Sequence, residues 1–338
     1  MKKIATIDLG TNGFRLYIAE VSEAGVFTII HRFTNDLKIA SEGFERIGDA
    51  PYARGLAAMR QFSTQLKQFN VEKVTAFGTA ALRLAANGQE FMDTVERETG
   101  IKIQLISGER EAELIYKGMR LGFLKEKRPL SKNDVGLEIS DFRGARTSEI
   151  RNLNAYIYIE SPFLMVDVGG GSVEFIIGDA EKVYWSRSFN VGVTILKQRF
   201  QPESRIQSIE IQAIRDFLNT TCAALIEAIT EFQPKIPLIA CGTLDFLVKI
   251  LRGPAYENFE FSKAQFDNFY QQLTFLSETE LADVDGVPYE KIEMLAVSFV
   301  LMDWIVRILN ADRLITSAFT MKAGILYEMS FFDDNEAL

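Results

Sequence analysis

A run of apolar residues that ends in an aspartate, turns through glycines and returns as a second apolar run occurs twice in this chain. In residues 3–20, KIATIDLGTNGFRLYIAE, the first strand ends at Asp8, the turn carries Gly10, Thr11, Asn12 and Gly13, and the return strand covers 14–18. In residues 162–179, PFLMVDVGGGSVEFIIGD, a strand over 163–166 leads to Asp167, the turn carries Gly169, Gly170, Gly171 and Ser172, and the return strand covers 173–177. Setting Asp8 on Asp167 also sets Gly10 on Gly169 and Arg15 on Glu174. Two hairpins of one plan predict an internal duplication, in which each copy opens its own sheet and the two turns face each other across a cleft.

Between and beyond the hairpins the pattern alternates between strand and helix periods. It predicts a third strand over 26–32, an amphipathic helix over 51–70 on Leu56, Met59, Phe62, Leu66 and Phe69, and a strand over 71–77. That strand runs into GTAALRLAANG (78–88), read as a loop of small residues carrying Arg83, which either belongs to a site or decorates a helix start. A helix over 89–100 with Gly100 as its stop and a strand over 101–106 follow. Ser107 then caps a helix beginning GEREAELIYKGM. Glu109 and Glu111 stand in its first turn, where the helix dipole favours negative charge, or where Glu111 takes a proton from a water.

Residues 123–161 are charged and hard to assign, with one strand-like piece at 155–159, and read as a connection enlarged by an insertion over about 125–161. Beyond the second hairpin the pattern predicts a strand over 183–189, a helix over 191–200, one long helix over 206–232 and a buried strand over 236–240. The strand leads into CGTLDFL (241–247), where Gly242 and Thr243 are either a phosphate contact or plain strand–helix packing. Helices over 262–276 and 288–309, a strand over 313–316, a last helix over 320–329 and a frayed acidic tail over 331–338 complete the chain.

Composition narrows the chemistry. At 338 residues, 47% hydrophobic and 25% charged, the chain is long enough for two domains of ordinary globular character. Its net charge of −9 argues against non-specific nucleic-acid binding and anionic membranes, though not against a polyanion held in a locally positive site. Cys222 and Cys241 are too few for a disulfide framework or a zinc site. His31, the sole histidine, is read as a surface residue at the end of the third strand, so acid–base work falls to carboxylates, Lys or Tyr. The N-terminal apolar stretch is too short for a signal peptide, and 294–309 is broken by Asp303 and Arg307, so a cytoplasmic protein is expected. Successive glycines at a turn offer backbone N–H groups to an anion and are free to take left-handed conformations, while an aspartate at the strand end suits a divalent cation. A plain tight hairpin would show much the same glycines.

The order IDLGTNGFRL, GTAALRLAANG, ISGEREAELIYKGM, VDVGGGSVEF resembles the exopolyphosphatase and guanosine pentaphosphate phosphohydrolase (Ppx/GppA) family of the actin-like ATPase superfamily over nearly the whole chain. The resemblance implies an α/β, two-domain actin-like (ribonuclease H-like) fold with an interdomain cleft, with one domain over 1–124 and 317–338 and the other over 125–316. It implies magnesium-dependent hydrolysis of the terminal phosphate of inorganic polyphosphate, or of a guanosine penta- or tetraphosphate nucleotide; a sensor that binds without turnover is the alternative from another class. Glu111 resembles the family's catalytic base, Arg83 its phosphate-contacting arginine, and Asp167 and Glu174 the carboxylates that hold magnesium or order the water. Asp8, Thr11, Asn12 and Gly13 match the first phosphate turn, with Asp8 counted among the metal carboxylates and Arg15 among the phosphate contacts; Gly169, Gly170, Gly171 and Ser172 match the second. A homodimer is expected. The chain departs from the family at Arg110, where a glutamate is usual, and in PYEKIEMLAV and SAFTMKAGIL.

Overall fold

The computed structural model describes residues 2–22, 27–120, 162–200, 205–252, 258–317 and 319–331. These form two compact units, one from the residues up to 120 together with those from 320 onward, the other from those between 162 and 319. The insertion expected over 125–161 and the tail beyond 331 lie outside the described residues.

In the first unit β1 (Lys2–Leu9) pairs antiparallel with β2 (Gly13–Val21), and β2 with β3 (Phe27–Asp36). On its other side β1 takes β4 (Lys73–Gly78) in parallel, and β4 takes β5 (Ile103–Leu105), so the sheet reads β3-β2-β1-β4-β5. Helices α1 (Asp49–Gln68), α2 (Ala80–Leu84), α3 (Gly88–Thr99) and α4 (Gly108–Arg120) follow the chain order. Gly100 ends α3 at φ 73°, a left-handed conformation open to glycine at no steric cost.

The second unit repeats the plan. Strands β6 (Phe163–Val168), β7 (Val173–Gly178) and β8 (Val183–Phe189) form an antiparallel meander, and β9 (Pro237–Ala240) lies parallel to β6. Strand β10 (Asn258–Ser262) runs antiparallel to β11 (Arg313–Ser317), which is parallel to β9, giving the order β10-β11-β9-β6-β7-β8. The strand order of the first sheet is therefore present with one edge strand added, and the duplication expected from the hairpins is seen as two α/β units of one plan. The central strands are buried on both faces, which is why 163–166 reads as an unbroken apolar run rather than an alternation. Helices α5 (Val193–Phe200), α6 (Ser208–Thr221), α7 (Ala223–Phe232), α8 (Gly242–Arg252), α9 (Lys263–Leu273), α10 (Glu278–Ala282) and α11 (Tyr289–Ile308) surround this sheet. Helix α11 is buried nearly all round from Val297 to Val306; its Asp303 accepts from Arg215 and Arg307. Among the described residues no helix is long and apolar enough to cross a membrane.

Several local expectations need correction. The loop over 78–88 holds α2, because Ala80, Ala81 and Leu82 are strong helix formers as well as small. The long helix over 206–232 breaks at Cys222, just after Thr220 bonds back to the Asp216 carbonyl at 2.9 Å and competes with the helical ladder. Strand β3 continues to Asp36, so His31 lies within it, half-buried against the rings of Phe33 and Phe69. Neither β10 nor α10 was expected, although the Ser277–Glu280 capping box that starts α10 is written in the sequence.

The first unit is closed by α12 (Met321–Phe331), which crosses α4 at two glycines. A Cβ on Gly324 would fall 1.9 Å from the Leu114 carbonyl oxygen, and one on Gly118 would fall 2.2 Å from that of Thr320. Backbone meets backbone here, so no side chain can turn aside to make room. Gly324→Ala is therefore expected to lose about 1–3 kcal/mol, read as a lower urea midpoint at unchanged slope.

Candidate active site

Each glycine turn is held from behind by its own carbonyl groups. In the first, Gly10 N–H donates to Gly13 O at 3.2 Å, Asn12 O accepts from the N–H groups of Leu37 and Lys38, and Thr11 O accepts from Ile39 N–H, all three at 3.0 Å. In the second, Gly169 N–H donates to Ser172 O at 3.0 Å. Gly169 O accepts from Val193 N–H at 3.1 Å, Gly170 O from Thr194 N–H at 2.9 Å, and Gly171 O from Gly192 N–H at 3.2 Å. A trans peptide points its N–H opposite to its C=O. The N–H groups of Gly170, Gly171 and Ser172 consequently face away from α5 as a row of amide dipoles, the arrangement that receives anions.

Gly13 and Gly169 are needed for space, and the left-handed freedom expected of the turn glycines is not used. Among the described residues the glycines at positive φ are Gly43, Gly100 and Gly286. A Cβ on Gly13 would lie 2.7 Å from Asn35 O, one on Gly169 2.8 Å from Ser172 O, and one on Gly192 2.3 Å from Gly170 O.

The two hairpins differ in charge. Asp167 stands directly across the ladder from Glu174, and Glu174 from Ser188, whose hydroxyl donates to Glu174 Oε1 at 2.7 Å. Two carboxylates side by side on one sheet face repel, and Glu174 is only 2% exposed; the pair offers hard oxygen ligands suited to a divalent cation. In the first hairpin the matching pair is Asp8 and Arg15, of opposite sign. Asp8, expected to face a metal, receives the ammonium of Lys322 from α12 at 3.0 Å. Among the described residues no three His, Cys, Asp or Glu side chains gather into a ready metal cluster.

Glu111 sits in the first turn of α4. The Ser107 hydroxyl accepts from Arg110 N–H at 3.2 Å and the Ser107 carbonyl from Glu111 N–H at 3.0 Å, which fixes where that turn begins. The Glu111 side chain is buried, and Arg83 Nη1 lies 3.6 Å from its Oε2 while donating to Ile106 O at 2.8 Å. Arg83 and Glu111, predicted from separate motifs, are thus brought together. Arg110 is directed elsewhere. Its guanidinium donates to Glu113 at 2.7 Å and to Glu328 on α12, and Lys117 reaches the same two carboxylates. Burial raises the Glu113 carboxyl, but the bonds from Lys117 and Arg110 outweigh it and hold the group below the usual range. Arg110 is held above its usual value: burial lowers it and the bonds to Glu113 and Glu328 prevail. The departure from the family at this position therefore feeds an ion cluster between α4 and α12.

Thr11, Ser172 and Thr243 are buried, and Gly242 with Thr243 opens α8. Sequence reasoning passed over two lysines, although both lie in the segments where the chain departs from the family. One is Lys322. The other is Lys291, whose ammonium stands 2.7 Å from where a Cβ on Gly242 would be, beside the positive end of α8.

A sequence profile of the Ppx/GppA phosphatase family matches residues 17–136 and 131–331, and the chain belongs to that family. Among its relatives, the guanosine-5'-triphosphate,3'-diphosphate pyrophosphatase of Photobacterium profundum is 22% identical over 327 residues, covering 96% of this chain and 59% of the relative. The chain spans about three-fifths of the length of the curated relatives it matches. Among solved structures, an exopolyphosphatase from Cytophaga hutchinsonii superposes with a TM-score of 0.82 at 23% identity, covering 97% of this chain and 98% of the other. The Aquifex aeolicus member of the Ppx/GppA family does so with a TM-score of 0.72 at 20% identity, covering 97% of each. At these identities the superpositions establish the fold.

Because the folded-state Glu113 carboxyl is depressed, its contribution to stability is complete at neutral pH and is lost as pH falls through the depressed value. Arg110→Ala should move the Glu113 titration, followed by carboxyl carbon NMR, up toward the ordinary range. It should also flatten the acid limb of the stability curve.

Proposed function

We propose that the chain is a phosphohydrolase that removes terminal phosphates from inorganic polyphosphate, with Glu111 orienting the attacking water and taking its proton. The observation that carries this reading is the buried Glu111 carboxylate held beside the Arg83 guanidinium at the start of α4. A phosphoryl transition state spreads negative charge over its oxygens, so donors fixed in advance supply most of the catalysis. Arg83 gives a guanidinium to a phosphate oxygen. In the first unit the turn through Thr11, Asn12 and Gly13 would also receive phosphate oxygens; in the second, taken by itself, the N–H groups of Gly170, Gly171 and Ser172 and the α8 start through Gly242, Thr243 and Lys291 offer donors of the same kind. Asp167 and Glu174 would hold a magnesium ion, which when bound supplies positive charge to the phosphate oxygens.

A second reading is favoured by the name of the relatives. The Photobacterium protein is a guanosine-5'-triphosphate,3'-diphosphate pyrophosphatase, and a 5'-triphosphate presents the same reacting end as a polyphosphate tail. Binding without turnover is the third possibility, and the presence of Glu111, Asp167 and Glu174 together speaks against it.

Phosphate release from long-chain polyphosphate and from guanosine pentaphosphate, each with magnesium, separates the three. Glu111→Gln is expected to lower kcat by ~10²- to 10⁴-fold with the thermal midpoint little changed. Release from the nucleotide alone would move the assignment to the second reading. Binding with no release from either substrate would move it to the third.

A further inference from the structure

We propose that Lys322 is the resident cation of the first turn: its ammonium neutralises Asp8 at the position a divalent metal would need, making Asp8 a positioning residue of the phosphate-binding turn and leaving metal binding to the second hairpin. Asp8 is 6% exposed near the end of the central strand β1, where an ionised carboxylate is costly without a partner. Lys322 provides one, Nζ to Oδ2 at 3.0 Å, and its side chain is itself only 15% exposed, so water screens the contact little.

The duplication supplies an internal comparison. Asp167 occupies in β6 the place of Asp8 in β1 and faces Glu174 across the ladder, two carboxylates that offer hard oxygen ligands to a divalent cation. Asp8 faces Arg15 and is bonded by Lys322, so one negative charge meets two positive ones. A divalent ion brought to Asp8 would have to displace an ammonium and then sit near a guanidinium. The residues of the second hairpin fit magnesium, and those of the first do not.

Lys322 is not at liberty to leave. It stands in the first turn of α12, two residues before Gly324, whose backbone touches that of Leu114 on α4. One and a half turns further on, Glu328 receives Arg110 and Lys117. The helix carrying Lys322 is thereby fastened to the helix carrying Glu111, and the Lys322–Asp8 bond ties both to the strand that enters the turn. A phosphate approaching Thr11, Asn12 and Gly13 meets a neutralised carboxylate with no metal required there.

The inference rests on the reading above only in taking Asp167 and Glu174 as the metal pair. Manganese binding to the intact chain, followed by electron paramagnetic resonance, tests it without reference to turnover. Asp8→Asn should bind Mn²⁺ within about twofold of the wild-type affinity. Lys322→Met, which leaves the buried Asp8 charge without its ammonium, should bind one additional Mn²⁺ per chain. The double variant Asp8→Asn/Lys322→Met, which removes both charges, should return to the wild-type stoichiometry, and Lys322→Arg should keep it. Circular dichroism melts confirm that each variant is folded; if Lys322→Met does not fold, the double variant and Lys322→Arg still carry the comparison with Asp8→Asn. A tenfold or greater loss of affinity in Asp8→Asn, or an unchanged stoichiometry in folded Lys322→Met, overturns the assignment of Lys322. Undiminished binding in Glu174→Gln would instead remove the metal pair of the proposed function and leave the Lys322 arms to be judged by themselves.

Discussion

The candidate site in each unit depends on a backbone constraint: the carbonyl groups of a glycine turn are taken from behind by the amides of the segment that follows the third strand. Residues 37–39 do this for the first turn and residues 192–194 for the second. Because a peptide is planar and trans, a carbonyl engaged on one side commits the next amide to the other. The anion-facing row of N–H groups is thus a consequence of how the turn is packed. Side chains would obstruct the packing, which explains the glycines at 13, 169 and 192 better than any need for unusual backbone angles.

On this common frame the two copies have diverged in charge. The second has a pair of carboxylates across the ladder, Asp167 and Glu174, with Ser188 donating to one of them. The first has Arg15 opposite Asp8 and Lys322 bonded to it. The turn geometry is common to both hairpins, while the residue opposite the aspartate differs in sign: Arg15 in the first and Glu174 in the second. The same two-sided balance appears at Arg110, whose guanidinium is matched by Glu113 and Glu328.

The helix pair α4 and α12 joins these charges to the fold. Gly118 and Gly324 let the two backbones come close, and the ionic cluster of Arg110, Glu113, Lys117 and Glu328 lies along the same contact. Glu111 on α4 and Lys322 on α12 therefore depend on one crossing. This is a reason for a chain to keep its C-terminal helix on the first unit after the whole second unit has intervened.

What the sequence alone determined is local in range. The repeated hairpin, the Ser107 cap, the stop at Gly100 and the buried runs of β6 and β9 are signals carried by residues a few positions apart, and the strand and helix periods state them directly. The residues marked Glu111 and Arg83 as candidates, the motif resemblance added their expected roles, and the fold then set them 3.6 Å apart. What only the tertiary structure decided is the pairing of distant charges: Lys322 with Asp8, Arg110 with Glu328, and the Lys291 ammonium at the start of α8. No periodicity records these, because a lysine in an apolar helix looks the same along the chain whether it reaches solvent or a buried carboxylate.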